Sequence, residues 1–246
     1  MTSKDFILDI KNGKGLSEEL QDEISLEQLE NSMNHPTREQ WLEERKKGIG
    51  GSDAATILGL NPYKTSIDLW EEKTGRKDAE DISDKPYVKY GTKAEDHLRE
   101  LFKLDFPQYE VTHQENTIIK HPIYPFLFAS LDGQLVDKNT GELGILEIKT
   151  TNILQSMQKE KWKEKIPDNY YCQVLHYLNV TGYSFAILKA QLKYDYSGEI
   201  RLETKHYTIL RKDVEEDIKL LREKEIEFWT KYVEKDIQPP LVLPNL

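Results

Sequence analysis

The sequence predicts an α/β (α+β) domain built on a central mixed sheet flanked by helices. Three observations carry this. A helix-like run at residues 89–106 precedes three strand-like segments at 110–120, 126–136 and 143–151. A second helix-like run, 169–182, precedes strand-like segments at 184–192 and 199–209. A long amphipathic run at 213–235 follows, and 238–246 reads as a tail. Helix, three-strand meander, helix and strand is the order of a sheet that mixes parallel and antiparallel neighbours.

Each element has its own local reason. In the acidic segment 16–33, Leu16, Leu20 and Ile24 recur at i, i+4, and Leu26, Leu29 and Met33 at i, i+3, i+7. The two sets point to different faces, and Ser25 with Gln28 fits a capping box, so one helix or two short ones satisfy the pattern. Residues 1–36 are therefore expected to form an acidic helical extension packed on the core, with 37–246 a single domain. Thr37 with Gln40 fits a second capping box and starts a helix through Trp41 and Arg45. Gly48, Gly50 and Gly51 predict a flexible loop that a ligand could approach closely, and Ser52 is the expected N-cap of a short helix over 53–59. A glycine turn entering a helix N-terminus suits a phosphate, although a well-capped helix needs no ligand. Leu98, Leu101 and Phe102 form the apolar stripe of the 89–106 helix, with Glu95 one turn earlier. Tyr170, Gln173, Val174 and Tyr177 fall at helical spacing in 169–182.

Composition bounds the class. The 246 residues are 37% hydrophobic and 32% charged, which fits a soluble globular chain. No apolar run is long enough to span a bilayer, and the first residues lack the apolar core of a secretory signal. The single cysteine, Cys172, excludes a disulfide framework within the chain and a multi-cysteine zinc or iron–sulfur site. A reducing cytoplasm is the expected compartment. The net charge of −10 argues against a protein that coats DNA, but less against one with a narrow basic channel, because binding depends on where positive charge is presented.

The chemistry concentrates at Asp132 and at Glu147-Ile148-Lys149. The two stretches read as adjacent strands of one hairpin joined by a polar turn containing Asn139, Thr140 and Gly141. Side chains alternate along a strand, so Glu147 and Lys149 share a face. With Asp132 on that side, two carboxylates and an ammonium converge. Hard oxygen donors suit Mg²⁺ or Mn²⁺, and a lysine beside such an ion suits phosphodiester hydrolysis. Asp132-Gly133 is equally compatible with ordinary turn chemistry, and Glu147 with Lys149 an exposed edge. The apolar neighbours Leu146 and Ile148 weigh toward a matched or metal-binding pair.

Taken together, Trp41-x₃-Arg45, the run GIGGSDAATILGLNPYKT at 48–65, YGTKAEDHLRELF at 90–102, SLDG at 130–133, LEIKT at 146–150 and YYCQVLHYL at 170–178 resemble the YqaJ-type viral recombinase nucleases, the family of the phage lambda exonuclease. The resemblance covers roughly residues 38–190. It implies a restriction-endonuclease-like core and residue roles: Asp132 and Glu147 as metal ligands with the Ile148 carbonyl, and Lys149 activating or orienting the attacking water. Glu95 falls at the acidic position that would hold a second ion or its water, and Gln173 at the glutamine position of the following helix. Arg45, Ser52 and Ser130 resemble the pocket for a 5′-terminal phosphate, with Tyr170 at a DNA-binding position. The implied activity is 5′-to-3′ digestion of duplex DNA ends with Mg²⁺, Mn²⁺ substituting. It releases 5′ mononucleotides and leaves a 3′ strand for a phage single-strand annealing protein. A homotrimer ring is implied as well, and the acidic segment before Thr37 has no assigned counterpart.

Two other readings compete. A RecB-type or restriction-like endonuclease would use the same fold without a ring. A noncatalytic DNA-end-binding module would keep the fold without needing the clustered carboxylates. His97, His113, His121, His176 and His206 are scattered and read as structural or surface residues.

Overall fold

The computed structural model describes residues 36–153, 159–163, 165–196 and 198–242. The acidic extension expected at 1–36, Pro36 apart, lies outside the described residues, as does the end of the tail. The elements in order are α1 (Arg38–Lys46), α2 (Gly51–Ile57), α3 (Ser66–Lys73), α4 (Pro86–Asp105), β1 (Tyr109–Thr112), β2 (Ile119–Lys120), β3 (Phe128–Ala129), β4 (Gly133–Asp137) and β5 (Leu143–Ile153). Then come α5 (Asp168–Thr181), β6 (Phe185–Tyr196), β7 (Glu199–Leu210) and α6 (Glu215–Glu227).

A five-stranded mixed sheet runs β1-β4-β5-β6-β7. The β5–β6 pair is parallel, with α5 as crossover, and the other neighbours are antiparallel. Alternation sorts the strand residues between two cores. Leu146, Ile148, Phe185 and Ile187 pack with Leu98 and Phe102 of α4. Ile145, Ala186 and Leu188 join Ala54 of α2, Val174 and Leu178 of α5, and Ile218 of α6 on the other face. By the same alternation Glu147 and Lys149 leave β5 on the α2/α5 side.

The structure departs from the predicted elements in three places. The segments 110–120 and 126–136 are each split, into β1 and β2 and into β3 and β4. Asn116 turns the chain with φ 57°, a left-handed conformation asparagine tolerates. The β2–β3 pair then forms its own two-stranded ladder, joined by an Ile49–Leu127 bridge. The glycine stretch is packed rather than open: a Cβ on Gly48 would lie 2.3 Å from the Phe126 carbonyl oxygen, and one on Gly51 would lie 2.5 Å from the Tyr177 ring. Finally, the helix predicted over 213–235 is α6 followed by a wider π turn, Phe228–Val233. Among the described residues, no helix is long and apolar enough to cross a membrane.

Candidate active site

Asp132 sits in the break between β3 and β4. The β4–β5 ladder ends at Gly133 opposite Leu146, so beyond it the β5 edge has lost its neighbour. The Asp132 carboxylate takes over there: its Oδ2 accepts the Ile148 N–H at 2.7 Å. A strand residue directs its N–H and C=O to the same edge, so the Ile148 carbonyl opens beside Asp132, where the expected third oxygen donor belongs.

Glu147 is 1% exposed. Its Oε1 accepts from Gln173 Nε2 at 2.8 Å and pairs with Lys149 Nζ at 2.5 Å. Its Oε2 is buried without a partner. Gln173 also donates to the Tyr177 hydroxyl at 2.9 Å, one turn along α5. Tyr170 contacts the site through Lys149, whose Nζ is 5.4 Å from the ring centroid, and packs against the tilted Trp162 ring with centroids 5.4 Å apart.

Glu95 comes from α4, on the other face of the sheet. It is held by Arg99, a buried residue whose guanidinium donates to Glu95 Oε1 at 2.6 Å, Asp96 Oδ1 at 2.7 Å and the Asp132 carbonyl at 2.6 Å. Arg99 therefore ties the acid of α4 to the backbone of Asp132. Sequence reasoning missed it, although Glu95 and Asp96 at i−4 and i−3 were its signal.

The electrostatics follow from burial of several acids together. Burial, and then the neighbouring Asp132 charge, push Glu147 up to about 8 and Glu95 up to about 7. Burial also raises Asp132. For Lys149 burial opposes the charge, but Glu147 and Asp132 outweigh it and hold the ammonium above its ordinary value. Three carboxylates at one edge exceed what Lys149 and Arg99 neutralise, and one oxygen is orphaned. Such a site fits a divalent cation. Among the described residues no three His, Cys, Asp or Glu side chains close a cage. Two carboxylates and a carbonyl would instead leave positions for water and phosphate, the coordination Mg²⁺ favours.

Arg45, Ser52 and Ser130 meet around Trp41. The Arg45 guanidinium lies 4.4 Å from the Trp41 ring centroid and donates to Ser52 Oγ at 3.3 Å. Trp41 Nε1 donates to Ser130 Oγ at 3.1 Å, and Ser130 in turn donates to the Thr117 carbonyl. Ser52 is not the helix cap. Gly50 is, with its N–H donating to the Asp53 carboxylate at 3.1 Å, so the Ser52 hydroxyl is left to Arg45. The two clusters adjoin, since Ser130 is two residues before Asp132 and Gly51 packs on Gln173 and Tyr177. His176, read as structural, is taken up by Glu225 and the Phe128 carbonyl.

Fold and cluster define a mixed α/β domain with a group of buried carboxylates at a sheet edge. The alkaline exonuclease LHK-Exo of Laribacter hongkongensis shares the fold with a TM-score of 0.52 and 18% identity, over 80% of this chain and 97% of that one. Its complex with dAMP gives 0.51 and 19% over the same shares. The chain belongs to the YqaJ-like viral recombinase domain family, whose model matches residues 40–184. It is 36% identical over 198 residues to the uncharacterized protein YqaJ of Bacillus subtilis (strain 168), a match covering 78% of this chain and 56% of that relative. The chain thus spans just over half the length of the curated relative it matches.

Proposed function

We propose that this chain is a divalent-metal-dependent 5′-to-3′ exonuclease on double-stranded DNA ends. The observation that carries the reading is the convergence of Asp132, Glu147, Lys149 and Gln173 at the open edge of β5, beside the Arg45–Ser52–Ser130 cluster. Asp132, Glu147 and the Ile148 carbonyl would hold Mg²⁺, with Glu95 at a second position. When bound, the ion would polarise the scissile phosphate and lower the pKa of water.

The chain's own residues do the rest. Lys149, kept protonated between two acids, orients the attacking water with its N–H groups. Gln173 fixes the Glu147 carboxylate without adding charge. Arg45 supplies a planar fork for a terminal phosphate, its plane held by Trp41. The Ser52 hydroxyl, which accepts from Arg45, keeps its proton for the same phosphate, whereas Ser130 would have to release the Thr117 carbonyl to donate there. That pocket would make the enzyme end-directed, releasing 5′ mononucleotides. The dAMP bound by LHK-Exo is a nucleotide of that kind. An exposed 3′ strand passed to an annealing protein, and a homotrimer ring around the duplex, complete the reading and rest on family resemblance.

Digestion of linear duplex in Mg²⁺ tests it, with 5′-phosphate, 5′-hydroxyl and closed circular substrates side by side. Release of the 5′ label as mononucleotide from phosphorylated ends, with circles intact, is expected. Cut circles would show an endonuclease, and no cutting at all a binding module.

A further inference from the structure

The cluster read as the DNA-end pocket is made where two helix termini meet. Arg45 lies in the last turn of α1 and Ser52 in the first turn of α2. Each terminus leaves backbone groups that the helix cannot satisfy, carbonyls at one and N–H groups at the other. One ion pair serves both. Lys73 Nζ, from α3, donates to the Arg45 carbonyl at 3.1 Å and lies 2.9 Å from Asp53 Oδ2. The same Asp53 oxygen accepts the Gly50 N–H at 3.1 Å. The two side chains are only 8% and 11% exposed. Burial works against the Asp53 charge, but Lys73 and the Gly50 N–H bring its carboxyl below the ordinary value, which favours the carboxylate.

A buried ion pair contributes little net stability compared with apolar packing of the same volume. A short polar side chain would cap α2 without a lysine from a third helix. What the pair adds is geometry: it locks the α1 carboxyl end to the α2 amino end. We propose that Asp53 and Lys73 are positioning residues for end recognition, setting the Arg45 guanidinium against the Ser52 hydroxyl at the separation a terminal phosphate bridges. This rests on the reading of Arg45 and Ser52 as phosphate ligands. Neither Asp53 nor Lys73 touches the DNA; both act through Arg45.

The test is the ratio of kcat/KM on 5′-phosphate over 5′-hydroxyl duplex ends. It is measured for wild type, Arg45→Ala, Asp53→Asn, and the double variant Asp53→Asn with Lys73→Met. The double variant removes both charges while keeping an acceptor for the Gly50 N–H, so it is expected to fold and to melt close to wild type. In both Asp53 variants the ratio should drop most of the way to the Arg45→Ala value, roughly tenfold or more, the scale on which misplacing a positioned group acts. A wild-type ratio in the double variant would overturn the proposal. So would an equal loss on both ends, which marks a purely structural brace. If wild type and Arg45→Ala share a ratio near one, the end-recognition reading itself fails and the brace has nothing to position.

Discussion

Lys149 Nζ lies 2.5 Å from Glu147 Oε1, and Gln173 Nε2 reaches the same oxygen at 2.8 Å. Glu147 is therefore held asymmetrically. One oxygen is fixed by two donors from the chain, while Oε2 is buried with nothing to accept from. Glu225, in the structural pair with His176, also leaves a buried oxygen unmatched, so what distinguishes Glu147 is the Asp132 carboxylate beside it. On the proposed reading, the unmatched oxygen is the one a cation would meet.

Lys149→Met should lower single-turnover cleavage of linear duplex by roughly 10²–10⁴-fold, the range of a positioned proton-transfer or orienting group. Binding of the same duplex in Ca²⁺, followed by anisotropy, should change little. Turnover near wild type would remove Lys149 from the chemistry.

Asp132→Asn separates function from stability. Asparagine still accepts the Ile148 N–H through its carbonyl oxygen, and it relieves the charge that pushes Glu147 and Glu95 up. In EDTA the variant should melt roughly 2–4 °C above wild type, about 1 kcal/mol for a chain of this size. Mg²⁺ should raise the wild-type Tm by mass action and leave the variant nearly unmoved. An equal Mg²⁺ shift in both proteins would place the ion elsewhere.

Much of this was legible in the sequence because alternation is a strict rule. Glu147 and Lys149 were bound to share a face once β5 formed, and the apolar residues around them fixed which face was buried. The order of helices and strands was readable for the same reason. The break between β3 and β4 was not, since 126–136 carries one continuous strand-like pattern, and only pairing with β2 and Ile49 pulls its first half away. The cap of α2 was misread because Ser52 and Asp53 are both good capping residues, and the register was decided by Lys73, twenty residues downstream. Arg99 had a helical signal toward Glu95 but none toward the Asp132 carbonyl, which lies 33 positions along the chain.

The glycine at position 51 links the two clusters. A Cβ there would meet the Tyr177 ring at 2.5 Å and Gln173 Cγ at 2.9 Å, so Gly51→Ala forces α2 and α5 apart. A loss of about 1–3 kcal/mol in urea unfolding is expected from overpacking. Because Gln173 moves, cleavage should fall by more than the unfolded fraction explains. A variant that is less stable but fully active per folded molecule would uncouple Gln173 from the reaction.

His176 and Glu225 set a pH dependence of stability whose sign follows from geometry. Nδ1 of His176 lies 2.6 Å from Glu225 Oε1, and Nε2 lies 2.8 Å from the Phe128 carbonyl oxygen. With the Phe128 carbonyl and the Glu225 carboxylate as partners, a doubly protonated ring donates from both nitrogens. Burial opposes that charge, but Glu225 outweighs it and raises His176 above the ordinary histidine value. A group whose pKa is raised on folding stabilises fully below its unfolded value, near 6.5, and loses that contribution as pH climbs through the folded value. Glu225→Gln should therefore cost about 3–5 kcal/mol near pH 6, the price of breaking a buried pair. The gap to wild type should narrow as the pH is raised into the alkaline range, as His176 gives up its second proton in the native protein. Melting curves of both proteins across that range decide it, and parallel profiles would mean His176 is neutral throughout. Phe128 lies under Arg45, with its ring centroid 5.9 Å from the guanidinium, so the same variant should also weaken the preference for phosphorylated ends.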